Sequence, residues 1–428
     1  ATLAMGSSAL AQSGETVKIG FIDPLSGAFA NVGQNQLKSW QFIADEMGKN
    51  AAGVKFEFVA FDNKGSPQDS LTALGVISGT SMDGIDVSIV TSDGRDAVRF
   101  GAGASYPYRD ETRAALQALI AQAERAMTEP LVELEAEVTT DHLAAIRRFI
   151  AEQHLDPASI DLVGLHGQTV YHCPQQRFTR QLIDGPAIAA ALGIATVDRF
   201  RHADVEAGGE GAPFAPLYHR ALAQGMEQPV MVLNLGGVGN VTWIEGEEVI
   251  AFDTGPASAL LDDFVLRRLG RPYDADGALA ASGRIHEDLV AAFMENPFFD
   301  RPAPKSLDRN EFHRRAQIVE PLSDADGAAT LAAFTVESLV AALRHVPRAP
   351  RRWLVGGGGR LNHHLMQRLR TRLGVPVEPV EAAGWDGDAL EAQLFAYLAI
   401  RSVKSLPLSL PGTTGVPRPL TGGRLNRA

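Results

Sequence analysis

Three glycine-rich turns and a few charged side chains hold most of the chemistry open to this sequence. In Ser78-Gly79-Thr80-Ser81-Met82-Asp83-Gly84-Ile85-Asp86, Gly79 and Gly84 open backbone conformations closed to other residues. Successive N–H groups can then converge on an anion, and Ser78, Thr80 and Ser81 add donors. The natural guest is a phosphate, although an ordinary hairpin with a polar tip would use similar residues. A second run, Asn234-Leu235-Gly236-Gly237-Val238-Gly239-Asn240, again reads as apolar strand, glycine turn and apolar strand. A third, Gly356-Gly357-Gly358-Gly359-Arg360, separates a strand at 353–355 from a helix expected over 362–373. There a flat ring or a phosphate can approach the backbone closely, and the helix dipole favours an anion.

Around these turns stand the candidate acids, bases and donors. Asp253 follows an apolar strand at 249–252 and precedes a helix expected over 257–269, which puts it at a strand end beside a helix start. Such an aspartate is either an N-cap or, facing a phosphate loop, a base or magnesium partner. Glu391 falls at the start of a helix at 389–403 and is expected to face inward. A strand at 161–165 delivers His166-Gly167-Gln168-Thr169-Val170-Tyr171-His172 at its carboxyl end, where ligand sites of α/β folds gather. Hydrogen bonding to a sugar or peptide group is the better reading of this run than zinc, because no further ligand stands at metal spacing. Arg201 can fork onto a carboxylate and Asp204 can accept sugar hydroxyls, with an internally satisfied Arg–Asp turn as the competing reading.

The elements that must position these groups alternate strand and helix, so the fold class is α/β. Strand–glycine turn–strand occurs near residue 79 and again near residue 236, which marks two halves built on one plan. At 428 residues and 45% hydrophobic content the chain suits two or three globular domains. A net charge of −12 argues against nucleic acid or an anionic membrane as the main partner. No apolar run reaches the roughly 18 residues that span a bilayer. Cys173 is the only cysteine, so no intrachain disulfide can form.

The first seventy residues read differently. Ala1–Gln12 has the small-x-small ending of a trimmed secretory signal, without a basic region, and a disordered N-terminal tail is the competing reading. A strand at 17–22, a helix over 34–47 and a strand at 54–61 make one βαβ unit. With VKIGFIDPLSG, FANVGQNQ and FVAFDNKGSPQDSLTAL, residues 14–74 resemble the opening of a periplasmic solute-binding protein of the branched-chain amino acid type. The rest of those lobes is missing, which implies an appended fragment.

The body resembles the actin and sugar-kinase superfamily, a two-lobed fold of ribonuclease H-like type. GVISGTSMDGID, HGQTVYH, FRHADVEAGGEGAP, NLGGVGNV, FDTGP, FDRPAPKS, LVGGGGRLN, GWDGDALEAQLFAYLA and LPGTTGVPRPLTGGRL together look like the anhydro-N-acetylmuramic acid kinase family, from about residue 72 to 425. The resemblance implies lobes at 72–228 and 229–428, with a C-terminal tail able to return to the first, behind an N-terminal piece at 1–71. It implies ATP-dependent phosphorylation of O6 of 1,6-anhydro-N-acetylmuramic acid while water opens the bridge at C1.

By the same resemblance Asp253 is the general base and Glu391 supports the site. Gly79, Thr80, Ser81, Met82, Asp83, Gly84, Ile85 and Asp86 hold the ATP phosphates with Mg2+, Gly236 and Gly237 form the second phosphate turn, and Gly357 and Gly358 meet the adenosine. His166, Thr169, Arg201 and Asp204 line the sugar pocket. Mg2+ is held mainly through the phosphates rather than by a protein-only site. The partners implied are an amino sugar and ATP in the cytoplasm, without nucleic acid or membrane, and a homodimer is left open. Ala257-Ser258, Leu307-Asp308, Glu206 and Glu210 depart from the family pattern, which bears on substrate affinity more than on reaction type. The alternatives are a kinase for another sugar, an ATPase of the same superfamily, or a non-enzymatic solute-binding fusion.

Overall fold

The computed structural model describes residues 16–23, 37–43, 55–62, 70–79, 82, 84–122, 124–307 and 312–428. Two compact units divide the chain, Ala1–Leu71 and Thr72–Ala428. The first holds strand β1 (Thr16–Asp23), a helix at 37–43 and strand β2 (Lys55–Asp62), with β1 and β2 paired in parallel. The signal-like residues 1–12 lie outside the described residues.

The second unit contains two sheets. The first comprises β3 (Leu71–Ser78), β4 (Ile85–Ser92), β5 (Val98–Tyr106), β6 (Leu162–Cys173), β7 (Phe178–Leu182), β8 (Thr196–Asp198) and β14 (Arg424–Asn426). Its order is β14-β8-β6-β3-β4-β5, with β7 paired to β6. The second sheet has β9 (Val230–Leu235), β10 (Val238–Glu245), β11 (Glu248–Pro256), β12 (Arg352–Gly356) and β13 (Val377–Pro379), in the order β11-β10-β9-β12-β13. β9 and β12 run parallel at its centre, and β9–β10–β11 is an antiparallel meander. Two sheets carrying glycine turns at matching places form the two-lobed α/β architecture of the actin and sugar-kinase class.

The chain does not stay in the second lobe to its end. Helix Leu390–Val403 packs on β4 and β6, and β14 pairs antiparallel with β8. Two glycines make that docking close: a Cβ at Gly75 in β3 would run into the Ala392 carbonyl, and one at Gly164 in β6 into that of Phe395. Glycine in a strand interior here marks direct backbone-to-backbone approach. The helix that carries Glu391 is therefore seated on the first sheet.

The second lobe is held by an aromatic core. Phe293 stacks on Phe334 at 4.5 Å, and Phe298, Phe299 and Phe312 meet around them. Phe334 lies on helix Asp324–Ala341, whose Ser323 N-cap accepts from the Asp326 N–H. The segment Asp324–His345 is long and apolar enough by composition to cross a membrane, but 72% of it is buried inside the molecule, so it serves as a core helix. Replacing one such phenylalanine by alanine removes about 3–5 kcal/mol.

Candidate active site

Between the sheets of the second unit lies a cleft of about 440 Å³. Its wall gathers Ile77 and Asp86 from the first glycine turn's flanks, Asn234 and Asn240 from the second, and Gly356, Gly357 and Gly358 from the third. Arg201 and Glu391 complete it, over an apolar lining that includes Phe214, Val232, Leu390 and Leu394. Residues spread over more than 300 positions of sequence thus share one cavity.

The first turn is held from below by a buried polar network. Tyr108 donates its hydroxyl to Ser78 Oγ at 2.7 Å and also lies 3.2 Å from Gln168 Oε1. Gln168 is fully buried and donates through Nε2 to the Gly79 carbonyl at 3.2 Å. The Met82 N–H closes on the same carbonyl at 3.1 Å, with Met82 in a left-handed conformation at φ 56°. The Met82 and Ile85 side chains are buried in the first lobe's core, so only their backbone is left for a ligand. Thr80, Ser81 and Asp83 lie outside the described residues. Ser78 is also 3.4 Å from His142 Nε2, and burial pushes that imidazole down to about 4, keeping it neutral.

At the second turn the glycine carbonyls bond within the protein. The Gly236 carbonyl accepts from the Ser258 N–H and hydroxyl, and the Gly237 carbonyl from the Ala257 N–H, so their carbonyls secure the start of helix Ala259–Leu269. Asn234 and Asn240, which flank them, reach the cleft instead. At the third turn Gly357 has φ +75°, and no atom lies within 4 Å of where a Gly358 Cβ would project, which leaves open space for a flat ring. Arg360 fixes the turn: Nη1 donates to the Gly357 carbonyl, Nε to Glu381 and Nη2 to Asp388. The sequence reading passed over Arg360, although its position directly after four glycines was a signal.

Asp253 corrects its expected place. It stands inside β11, opposite Asn240 on β10, and the N-cap of the following helix is Ser258. Among the described residues Asp253 receives one hydrogen bond, from the Leu307 N–H to Oδ2 at 2.8 Å. Burial is the main cause that raises its carboxyl to about 7; Glu210 raises it further, and the Leu307 bond and Lys305 oppose. A carboxyl poised near neutral pH is matched to general-base work. Lys305 is buried below it, donating to the Phe298 and Phe299 carbonyls, and burial lowers its ammonium to about 8.

His166 also stands elsewhere than expected. β6 continues to Cys173, so the histidine run is strand, kinked at Gly167 with φ +73°, rather than a loop beyond a strand end. His166 is buried against Phe395; its Nδ1 lies 2.8 Å from the Gly167 carbonyl and its Nε2 accepts from Arg201 Nε at 2.9 Å. Burial holds its imidazole well below the ordinary range. Arg201 also donates to the Gly211 carbonyl at 2.6 Å. Burial brings its guanidinium down to about 10, opposed by Glu391 and Asp204, so it remains charged at neutral pH.

Asp204 is only 2% exposed, and each of its oxygens is engaged: Oδ1 by the Gly211 N–H and Oδ2 by the Thr414 hydroxyl, both at 2.7 Å. Both oxygens are thus tied to the protein, and Asp204 shapes the loop at Gly211. Thr169 is half-buried, with Oγ1 accepting from Gln181 at 3.4 Å. Glu391, at the second position of its helix, is exposed by surface area because it opens onto the cleft. Protein nonetheless surrounds that opening, and burial raises its carboxyl, with Arg201 opposing and Asp86 assisting.

Paired glycine turns across a cleft, a carboxyl near neutrality and a fixed arginine fit a two-lobed sugar-kinase-type protein. The match to known families is specific. The model of the family described as anhydro-N-acetylmuramic acid kinase matches residues 71–427, and the chain belongs to that family. The anhydro-N-acetylmuramic acid kinase of Paramagnetospirillum magneticum is 50% identical over 356 residues, covering 83% of this chain and 99% of its own length. That of Rhodospirillum rubrum is 50% identical over 353 residues, covering 82% and 93%. Among solved structures, a ROK family glucokinase from Streptomyces griseus aligns over 77% of this chain and 99% of its own at 14% identity, with a TM-score of 0.33.

Proposed function

We propose that this chain phosphorylates 1,6-anhydro-N-acetylmuramic acid at O6 with ATP while adding water at C1, giving N-acetylmuramic acid 6-phosphate and ADP. The observation that carries the reading is Asp253: a half-buried, desolvated carboxyl near neutrality with, among the described residues, a single hydrogen-bond donor, set within the sheet of the second lobe. Its free lone pairs can take a proton from water. The water oxygen bonds to C1 as the C1–O6 bond breaks, its proton passes to Asp253, and O6 keeps the electron pair. O6 then attacks the γ-phosphorus and ADP departs.

The adenosine ring would lie against the Gly357–Gly358 turn and the apolar lining, with its phosphates towards the first turn. Mg2+ would ride on the phosphates, with Asp86 of the cleft wall a carboxylate that could hold it or its waters, and would supply neutralisation of charge in the transfer. Arg201, fixed by His166 and the Gly211 carbonyl, supplies a positive wall that needs no reorganisation during the reaction. Glu391 balances that charge. Asp204 is assigned a positioning role. ATP supply puts the reaction in the cytoplasm.

The test is incubation with ATP-Mg and the anhydro-sugar, followed by mass analysis. A sugar 6-phosphate formed with one solvent oxygen is expected. ATP turnover that ignores the sugar would replace this reading by an ATPase, and no turnover would remove it.

A further inference from the structure

A second carboxylate acts on Asp253 from the other lobe. Glu210, on the loop after helix His202–Glu206, accepts from Ser306 Oγ at 2.9 Å. Ser306 lies between two residues that hold Asp253: the Lys305 carbonyl accepts from the Asp253 N–H at 2.9 Å, and the Leu307 N–H donates to Asp253 Oδ2. One tripeptide is thus gripped by Asp253 from β11 and by Glu210 from the first lobe. Glu210 is itself anchored, its N–H donating to the Thr414 carbonyl at 2.7 Å and its carbonyl 3.0 Å from His172 Nε2.

We propose that Glu210 is a positioning residue for the reaction: through Ser306 it ties the first lobe to the loop that orients the Asp253 carboxylate. Lobe approach and readiness of the base are then set by one contact. The inference rests on Asp253 being the base.

The electrostatics follow from the geometry. With the lobes together, the Glu210 carboxylate stands near Asp253 and strengthens it as a base, acting with burial. The opposing charge is Lys305, whose ammonium is turned to the Phe298 and Phe299 carbonyls and lies 3.2 Å from His345 Nε2, with Arg344, Asp300 and Arg301 acting on it. If the lobes part, Ser306 loses its acceptor and Asp253 loses its like-charged neighbour. The base is therefore strongest when the cleft is shut around its sugar and bulk water is excluded.

Two variants separate the two effects. In Glu210→Gln the amide oxygen still accepts from Ser306 but the charge is gone; in Ser306→Ala the charge stays and the bond is lost. The dependence of kcat on pH is measured at saturating ATP-Mg and sugar, and KM for the sugar at pH 8. Glu210→Gln is expected to move the acidic limb of kcat down by about half to one pH unit with little change in KM. Ser306→Ala is expected to raise KM about three- to tenfold without moving the limb. Glu210→Ala should do both, and adding Ser306→Ala to it should raise KM no further. An unmoved limb in Glu210→Gln, or wild-type KM in both Ser306→Ala and Glu210→Ala, overturns the proposal. Asp253→Asn keeps the two readings distinct: if it retains turnover, the base assignment fails, and if it abolishes turnover while Glu210→Gln leaves the limb in place, only the role of Glu210 fails.

Discussion

Asp204, on helix His202–Glu206 of the first lobe, and Asp253, inside β11 of the second, have opposite surroundings. Asp204 is closed in, with a backbone N–H on one oxygen and a hydroxyl on the other. Asp253 is half-buried and, among the described residues, receives one backbone N–H. A carboxylate whose oxygens are all engaged stabilises a loop, whereas one desolvated but poorly bonded keeps proton affinity for a substrate. On our proposal the first serves structure and the second chemistry. The contrast also explains why Arg201 can stay fixed: Asp204 holds the Gly211 loop whose carbonyl accepts from it.

The sharpest way to break this contrast is to neutralise each aspartate. Asp253→Asn should lower kcat by about a thousandfold, within the range for losing a general base, while calorimetry shows ATP affinity close to wild type. Asp204→Asn keeps an oxygen for Gly211, and the Thr414 hydroxyl can rotate to meet the amide, so its kcat should stay within about tenfold. Equal losses in the two variants would end the distinction. Asp204→Ala should act on stability instead, leaving two buried donors unpaired at about 1–3 kcal/mol each, seen as an earlier denaturation midpoint.

The pH dependence sharpens the same point. With its carboxyl at about 7, Asp253 is ionised only above neutrality, so kcat should be half-maximal near pH 7 and fall about tenfold per unit below it. The stability sign is the reverse. The folded carboxyl binds its proton more tightly than the ordinary value of 3.8, so folding is favoured at low pH, and that contribution is lost as pH rises from about 4 to 7. Asp253→Asn should therefore raise Tm by a few degrees at pH 8 and leave it unchanged at pH 4. A smaller effect is expected for Glu391→Gln, about a fivefold fall in kcat/KM as Arg201 loses part of its counter-charge. A fall as large as that for Asp253→Asn would make Glu391 the better base.

Much of the site was legible in the sequence because its carriers are local. The turns at Gly79, Gly236 and Gly357 announce themselves by glycines between apolar runs, and Arg201 and Asp253 lie in motifs with little else to explain them. What misled was the length of strands. An apolar run at 161–165 ends where polar residues begin, yet β6 continues to Cys173 because β7 pairs with the polar stretch and satisfies its backbone. β11 likewise carries Asp253 inside it because β10 pairs along its length. Glu210 and Lys305 were harder to see as parts of the site, since their value lies in what stands beside them.

The sequence by itself determined the α/β class, the two matching halves, the kinase family and the glycine turns, because backbone permissiveness and hydrophobic alternation are written residue by residue. The tertiary structure decided which carboxylate is satisfied and which is left wanting, since burial and hydrogen-bond partners come from distant segments: Thr414 for Asp204, Leu307 for Asp253. It also decided that residues 390–428 return to the first sheet, bringing Glu391 opposite the third glycine turn, through contacts that Gly75 and Gly164 allow. Proton affinity is a property of surroundings, and surroundings are assembled only when the chain folds.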